Sequence, residues 1–167
     1  MINIQDVRSD VLSDRLSAEA IDFLENHDLS DFGQDNAEAL KDLDGLGVRV
    51  GTGFHRLYAG GGFLPNGRNR PVALLGLFDL IQDQKAGHGL YGMEETDRTP
   101  ELLKRYLTIT SMEGGGSWFY DIETDCVFDC DWGDEYGMID GSFEPVFETS
   151  FGFANWLYAE PKEANNS

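Results

Sequence analysis

Between Tyr106 and Pro161 the sequence has no lysine and no arginine. The whole chain of 167 residues sets only 12 basic residues against 31 acidic ones, a formal net charge of −19 at pH 7. Such a balance argues strongly against nucleic-acid binding, because contacts to phosphate need clustered Lys and Arg to release counterions. An anionic membrane surface is disfavoured for the same reason. Long apolar runs are missing as well. The longest, Val72–Phe78, has the length of a strand and falls far short of the ~18 residues that span a bilayer. No basic segment followed by an apolar one opens the chain, so a soluble, cytoplasmic protein is expected.

Other absences narrow the chemistry. Gly51-Thr52-Gly53 lacks the third glycine of a dinucleotide loop, and no Gly-Lys-Ser/Thr is present. Gly-x-Ser-x-Gly and Cys-His signatures are also missing. His27, His55 and His88 are isolated, outside any zinc spacing. Asp129–Asp140 has twelve-residue spacing like a calcium loop, but Gly133 and Asp134 are exchanged relative to it and Asp140 stands where a bidentate Glu is needed. The chain is therefore expected to have no enzyme activity, no cofactor and no specific metal. A small enzyme or divalent-cation binder is the weakest alternative. Cysteine is scarce: Cys126 and Cys130 would point to one face of a strand some ~13 Å apart at ~3.3 Å per residue, too far for a disulfide. Two free thiols in a reducing compartment are expected. There is no repeat and no Pro/Ser linker, so residues 1–167 read as one domain with loosely held ends at 1–16 and 160–167.

What is present is acid interleaved with aromatics. The segment from Tyr106 to Pro161 carries twelve acids, Glu113, Asp121, Glu123, Asp125, Asp129, Asp131, Asp134, Glu135, Asp140, Glu144, Glu148 and Glu160. Trp118, Phe119, Tyr120, Val127, Phe128, Trp132, Tyr136 and Phe143 are interspersed, so this is folded chain and not an acidic tail. A folded surface of one sign attracts partners of the other sign. Adaptation of the whole proteome to salt would produce a similar charge.

Helices are expected from Ser17 to Asp28 with Ser17 as cap, from Asp35 through Leu43 with Asp44-Gly45 and Gly47 as its stop, and over Gly53–Ala59 ahead of Gly60-Gly61-Gly62. Phe63–Arg70 reads as a loop, Val72–Phe78 as a buried strand, Asp79–Gln84 as the start of a surface element, and Ala86–Gly92 as loop. Thr99 and Pro100 start a short helix to Tyr106. Tyr106–Ser111, Ser117–Ile122 and Cys126–Trp132 then read as three strands of an antiparallel meander. In the third, Val127, Asp129 and Asp131 share one face and Cys126, Phe128 and Cys130 the other. Ser150 is expected to cap a closing helix through Tyr158. The fold class is α+β, a mainly antiparallel sheet packed with helices.

Several segments, in order, resemble the SUKH superfamily of immunity and regulatory domains, named in part for a yeast cell-wall regulator. Leu46-Gly47-Val48 through Phe54, Leu57-Tyr58 and Gly60-Gly61-Gly62 is similar to its opening helix and glycine stop. Leu90-Tyr91-Gly92-Met93-Glu94-Glu95 resembles its Leu-Tyr-Gly-x-acid turn. Tyr106-Leu107-Thr108-Ile109, Gly114–Ser117, Phe119-Tyr120-Asp121 and Glu123-Thr124 resemble its strand, turn and strand core, and Phe147–Leu157 its closing helix. The resemblance spans about Leu43–Ala159, with Val50-Gly51-Thr52 where the family often has a proline and a longer, more acidic Gly133–Glu148.

The resemblance implies a non-catalytic α+β domain that binds and neutralises a cognate bacterial toxin domain, often a nuclease with a basic cleft. The charge pattern, read independently, assigns the partner-binding face to Glu123, Asp125, Asp129, Asp131, Trp132, Asp134, Glu135, Tyr136 and Asp140. Trp132 and Tyr136 are the candidate anchors, with a core position as the competing reading. A regulatory or scaffold domain of the same fold, bound to a cellular partner, is the alternative.

Overall fold

The computed structural model describes residues 12–26, 36–59, 74–87, 89–110 and 116–159. Among them are seven α-helices, one short 3-10 turn and a three-stranded antiparallel sheet, an α+β fold as expected. Helix α1 is Ala18–Glu25, and Ser17 caps it by accepting from the Ala20 N–H. Helix α2 is Ala37–Leu46, with Asn36 accepting from the N–H groups of Glu38 and Ala39. It continues through Gly45 and stops at Gly47, whose φ of 82° is the left-handed position that favours glycine. The expected cap, Asp35, lies outside the described residues, as do His27, His88, Gly60–Gly62 and the loop Phe63–Arg70.

Helix α3, Gly53–Tyr58, confirms the helical reading of that stretch, capped by Thr52. Helix α4, Leu77–Lys85, corrects another expectation: Val72–Phe78 is not a strand where it is described. Leu74 makes only an isolated bridge to Thr110, and Gly76 begins the helix. Short apolar runs fit either element, and here the 3.6-residue spacing of buried Leu77 and Leu80 decides for helix.

The 3-10 turn is Glu95–Asp97, and helix α5 is Pro100–Arg105, capped by Thr99 with Pro100 at its first position. It runs directly into β1, Tyr106–Thr108, followed by β2, Gly116–Asp121, and β3, Val127–Asp131. The meander order is β1-β2-β3, with Trp118 opposite Asp129, Phe119 opposite Phe128 and Tyr120 opposite Val127. Helix α6, Glu135–Asp140, follows β3 and was not anticipated. Helix α7, Ser150–Tyr158, closes the described chain; its cap is Thr149, one residue before the expected Ser150.

Period-two alternation sends the sheet's side chains into two separate cores. Leu107, Ile109, Tyr120 and Val127 pack with helices α1 to α4 and α7. Tyr106, Phe119, Phe128 and Cys130 pack on the other face with Leu90, Met93 and Met138. Phe54 of α3 stacks on Tyr120 at 4.1 Å between ring centres and an interplanar angle of 1°. Aromatic pairs of this kind contribute about 0.5–1.5 kcal/mol beyond area burial.

The β2–β3 turn is fixed by Asp121, which is buried yet ionic. Its carboxylate takes a bidentate bond from Arg105, at 2.9 Å from both Nε and Nη2. It also accepts from the Glu123 N–H and the Thr124 hydroxyl. Cys126 and Cys130 are free thiols, and burial pushes the Cys130 thiol up to about 12, so it stays protonated.

Candidate partner-binding face

Strand β3 presents Asp129 and Asp131 to solvent while Val127, on the same face, is buried. The inward residues Phe128 and Cys130 hold the strand down, so the two acids are fixed on a rigid element. A tight turn follows. The Asp134 N–H donates to the Asp131 carbonyl at 3.0 Å, and the Asp131 N–H donates back to Asp134 Oδ2 at 3.3 Å. Gly133 takes φ 103° within it. The turn throws Trp132 outward, 59% exposed, and α6 then carries Tyr136, 40% exposed. Both are surface aromatics, so neither takes the core position that the sequence left open.

Crowding of like charge is visible at Asp129. Partial burial raises its pKa above the ordinary carboxylate value, and the neighbouring Asp131 and Asp134 add to the rise.

Four expected members belong elsewhere. Glu135 is only 2% exposed and faces inward. Its two oxygens accept from the backbone N–H of Gly92 at 3.0 Å and of Gly133 at 2.7 Å. It is a structural carboxylate, not a contact residue. Asp125 sits at φ 65° with its carboxylate turned inward, accepting from the hydroxyls of Tyr120 and Ser150, each at 2.7 Å. Ser150 in turn accepts from the Phe54 N–H, tying the β2–β3 turn to α3 and α7. Glu123 is exposed but lies at the opposite end of β3, paired with Arg105 at 2.9 Å. Asp140 is exposed at the far end of α6, where hydrogen bonds from the Ser142 hydroxyl and N–H lower its pKa. The face that is brought together is therefore Asp129, Asp131, Trp132, Asp134 and Tyr136.

Residues that the charge count passed over complete it. Segment 90–97 is clipped to the start of α6 at three points: Gly92 to Glu135, the Glu94 N–H to the Tyr136 hydroxyl at 2.9 Å, and the Tyr136 hydroxyl to Asp97 Oδ2 at 2.8 Å. Exposed Glu94, Glu95 and Asp97 are thereby held beside the start of α6, with Tyr136 between Glu94 and Asp97. Tyr91, 37% exposed, immediately precedes Gly92 as Trp132 precedes Gly133. A Cβ on Gly92 would collide with Glu135 and with the Gly133 backbone, so the two glycines are in direct approach. The available signal was the Leu90-Tyr91-Gly92 turn, noted for its resemblance but not for its place in the site.

No family model, curated protein or solved structure matches the chain. Among the described residues no cluster of His, Cys, Asp and Glu could hold a metal ion, and no helix is long and apolar enough to cross a membrane.

Proposed function

We propose that this is an immunity-type binding protein that neutralises a cognate bacterial toxin by covering a basic active-site cleft. The observation that carries the reading is the face itself. Trp132, Tyr136 and Tyr91 are exposed around the Gly92–Glu135–Gly133 junction, with Glu94 and Asp97 beside Tyr136 and Asp129, Asp131 and Asp134 on the adjoining strand and turn, all on elements locked by backbone hydrogen bonds. Exposed aromatics on a rigid support are the material of binding hot spots, and surrounding charge of one sign accelerates encounter with an oppositely charged cleft. The order of motifs, which resembles that of the SUKH superfamily, supports the same reading.

Calorimetric titration against the toxin domain encoded by a neighbouring gene, at low and high salt, is the test. Tight binding that weakens with salt is expected. Absence of binding at either salt would reject that partner.

A further inference from the structure

The aromatic side of this face suggests which cation it meets. Arg98 places its guanidinium over the ring of Tyr91, 5.5 Å from the ring centre, within the face itself. A fuller version stands inside the fold: Arg105 lies 5.0 Å over Tyr106 while its guanidinium grips Asp121 at 2.9 Å. In both places a tyrosine ring lies against an arginine, and at Arg105 a carboxylate, Asp121, grips the same guanidinium. The unit Asp131-Trp132-Gly133-Asp134, with Tyr136 and Asp97 beside it, offers the same two elements outward: an exposed ring and flanking carboxylates.

We infer that the Tyr91–Trp132–Tyr136 face recognises an arginine side chain of its protein partner, laying the guanidinium against an aromatic ring and pairing it with an adjacent carboxylate. The inference rests on the reading of this face as a partner-binding surface. A planar, weakly hydrated guanidinium stacks on a ring and presents a donor fork to a carboxylate at once; a lysine ammonium is a strongly hydrated point charge that does neither as well. Charge alone attracts both ions equally, so discrimination between them reads the aromatic contribution and not the general field.

The test uses hexa-arginine and hexa-lysine as probes of matched charge, titrated calorimetrically into the full chain at a fixed, moderate salt concentration. Hexa-arginine is expected to bind at least about fivefold more tightly, a preference that Trp132→Ala abolishes and Trp132→Phe largely restores. Thermal melting confirms that the variants fold, and neutralising Asp42 and Asp44 on α2 should leave the preference intact. Equal affinity for the two peptides, or a preference that survives Trp132→Ala, would overturn the inference. A toxin domain that binds tightly without any peptide discrimination would sink the arginine assignment alone. Peptide discrimination with no toxin binding would leave the assignment standing and reject that toxin as the partner.

Discussion

The carboxylate of Glu135 accepts a hydrogen bond from the backbone N–H of Gly92, 43 residues earlier in the chain, at 3.0 Å. Its other oxygen takes the Gly133 N–H, so one buried side chain sets the distance between the two halves of the aromatic face. Backbone donors are the right partners for a buried carboxylate, since hydrogen bonding to the charged form offsets its loss of hydration.

Removal of that carboxylate should cost more than an exposed acid would. Glu135→Ala leaves the Gly92 and Gly133 N–H groups without their acceptor, and a loss of about 2–4 kcal/mol is expected. Denaturant unfolding measures it; a change below about 0.5 kcal/mol would show that the bond is incidental. Partner affinity should fall with it, because Trp132 and Tyr91 lose their fixed spacing.

Helix α3 starts against the start of α7, and Gly53 is what permits it. A Cβ there would strike the backbone of Ser150 and Phe151, neither of which can swing aside as a side chain could. Gly53→Ala is expected to destabilise by about 1–3 kcal/mol despite the better helix propensity of alanine. Equal melting midpoints for the two proteins would contradict the close approach.

Acid should act oppositely on two aspartates. Burial raises the Asp121 pKa, but the hydrogen bonds from Arg105 and Thr124 outweigh it and the net shift is downward. Its stabilisation is thus present above the ordinary value near 3.8 and is lost as pH falls through the lower folded value. At Asp129 the shift is upward, so the folded state disfavours the charged form. That penalty is present above the raised folded value and is relieved as pH falls towards 3.8. Asp129→Asn should therefore raise the melting temperature at neutral pH and have little effect in strong acid. Asp121→Asn should lower it at neutral pH. Melting curves from pH 3 to 8, on the order of that range, separate the two cases.

Encounter kinetics test the outward acids. Replacing Asp129, Asp131 and Asp134 with Asn should slow association with the toxin domain about tenfold at low salt and flatten its salt dependence, leaving the fold intact. Stopped-flow mixing reads this directly. Association unchanged by the three substitutions would refute electrostatic steering by this face. Glu135 does not belong in that set, because its removal would confound binding with folding.

Local signals carried most of the fold. Ser17 and the Thr99-Pro100 pair mark helix starts by chemistry confined to a few residues, and the meander follows from alternation between tight turns. The Val72–Phe78 run misled because seven apolar-rich residues satisfy a strand and a helix alike, and the decision rests on what Leu77 and Leu80 pack against. Among the acids, charge reads the same in sequence whether a carboxylate faces water or a backbone N–H. Glu135 and Asp125 could be separated from Asp131 and Asp134 only once Gly92 and Ser150 were placed beside them. Glu94 and Asp97 escaped notice because Arg98, Lys104 and Arg105 dilute the local charge that the tertiary fold reassembles.

Strand β3 forms one margin of the sheet, and among the described residues only an isolated bridge, Val127 to Phe147, lies beyond it. The rest of that margin carries Asp129 and Asp131. An unprotected strand edge is a template for another chain's backbone, and charges along it keep like molecules from stacking side by side into fibrils. The two aspartates thus guard the protein against its own copies, and a variant lacking both should scatter light on standing where the parent solution stays clear.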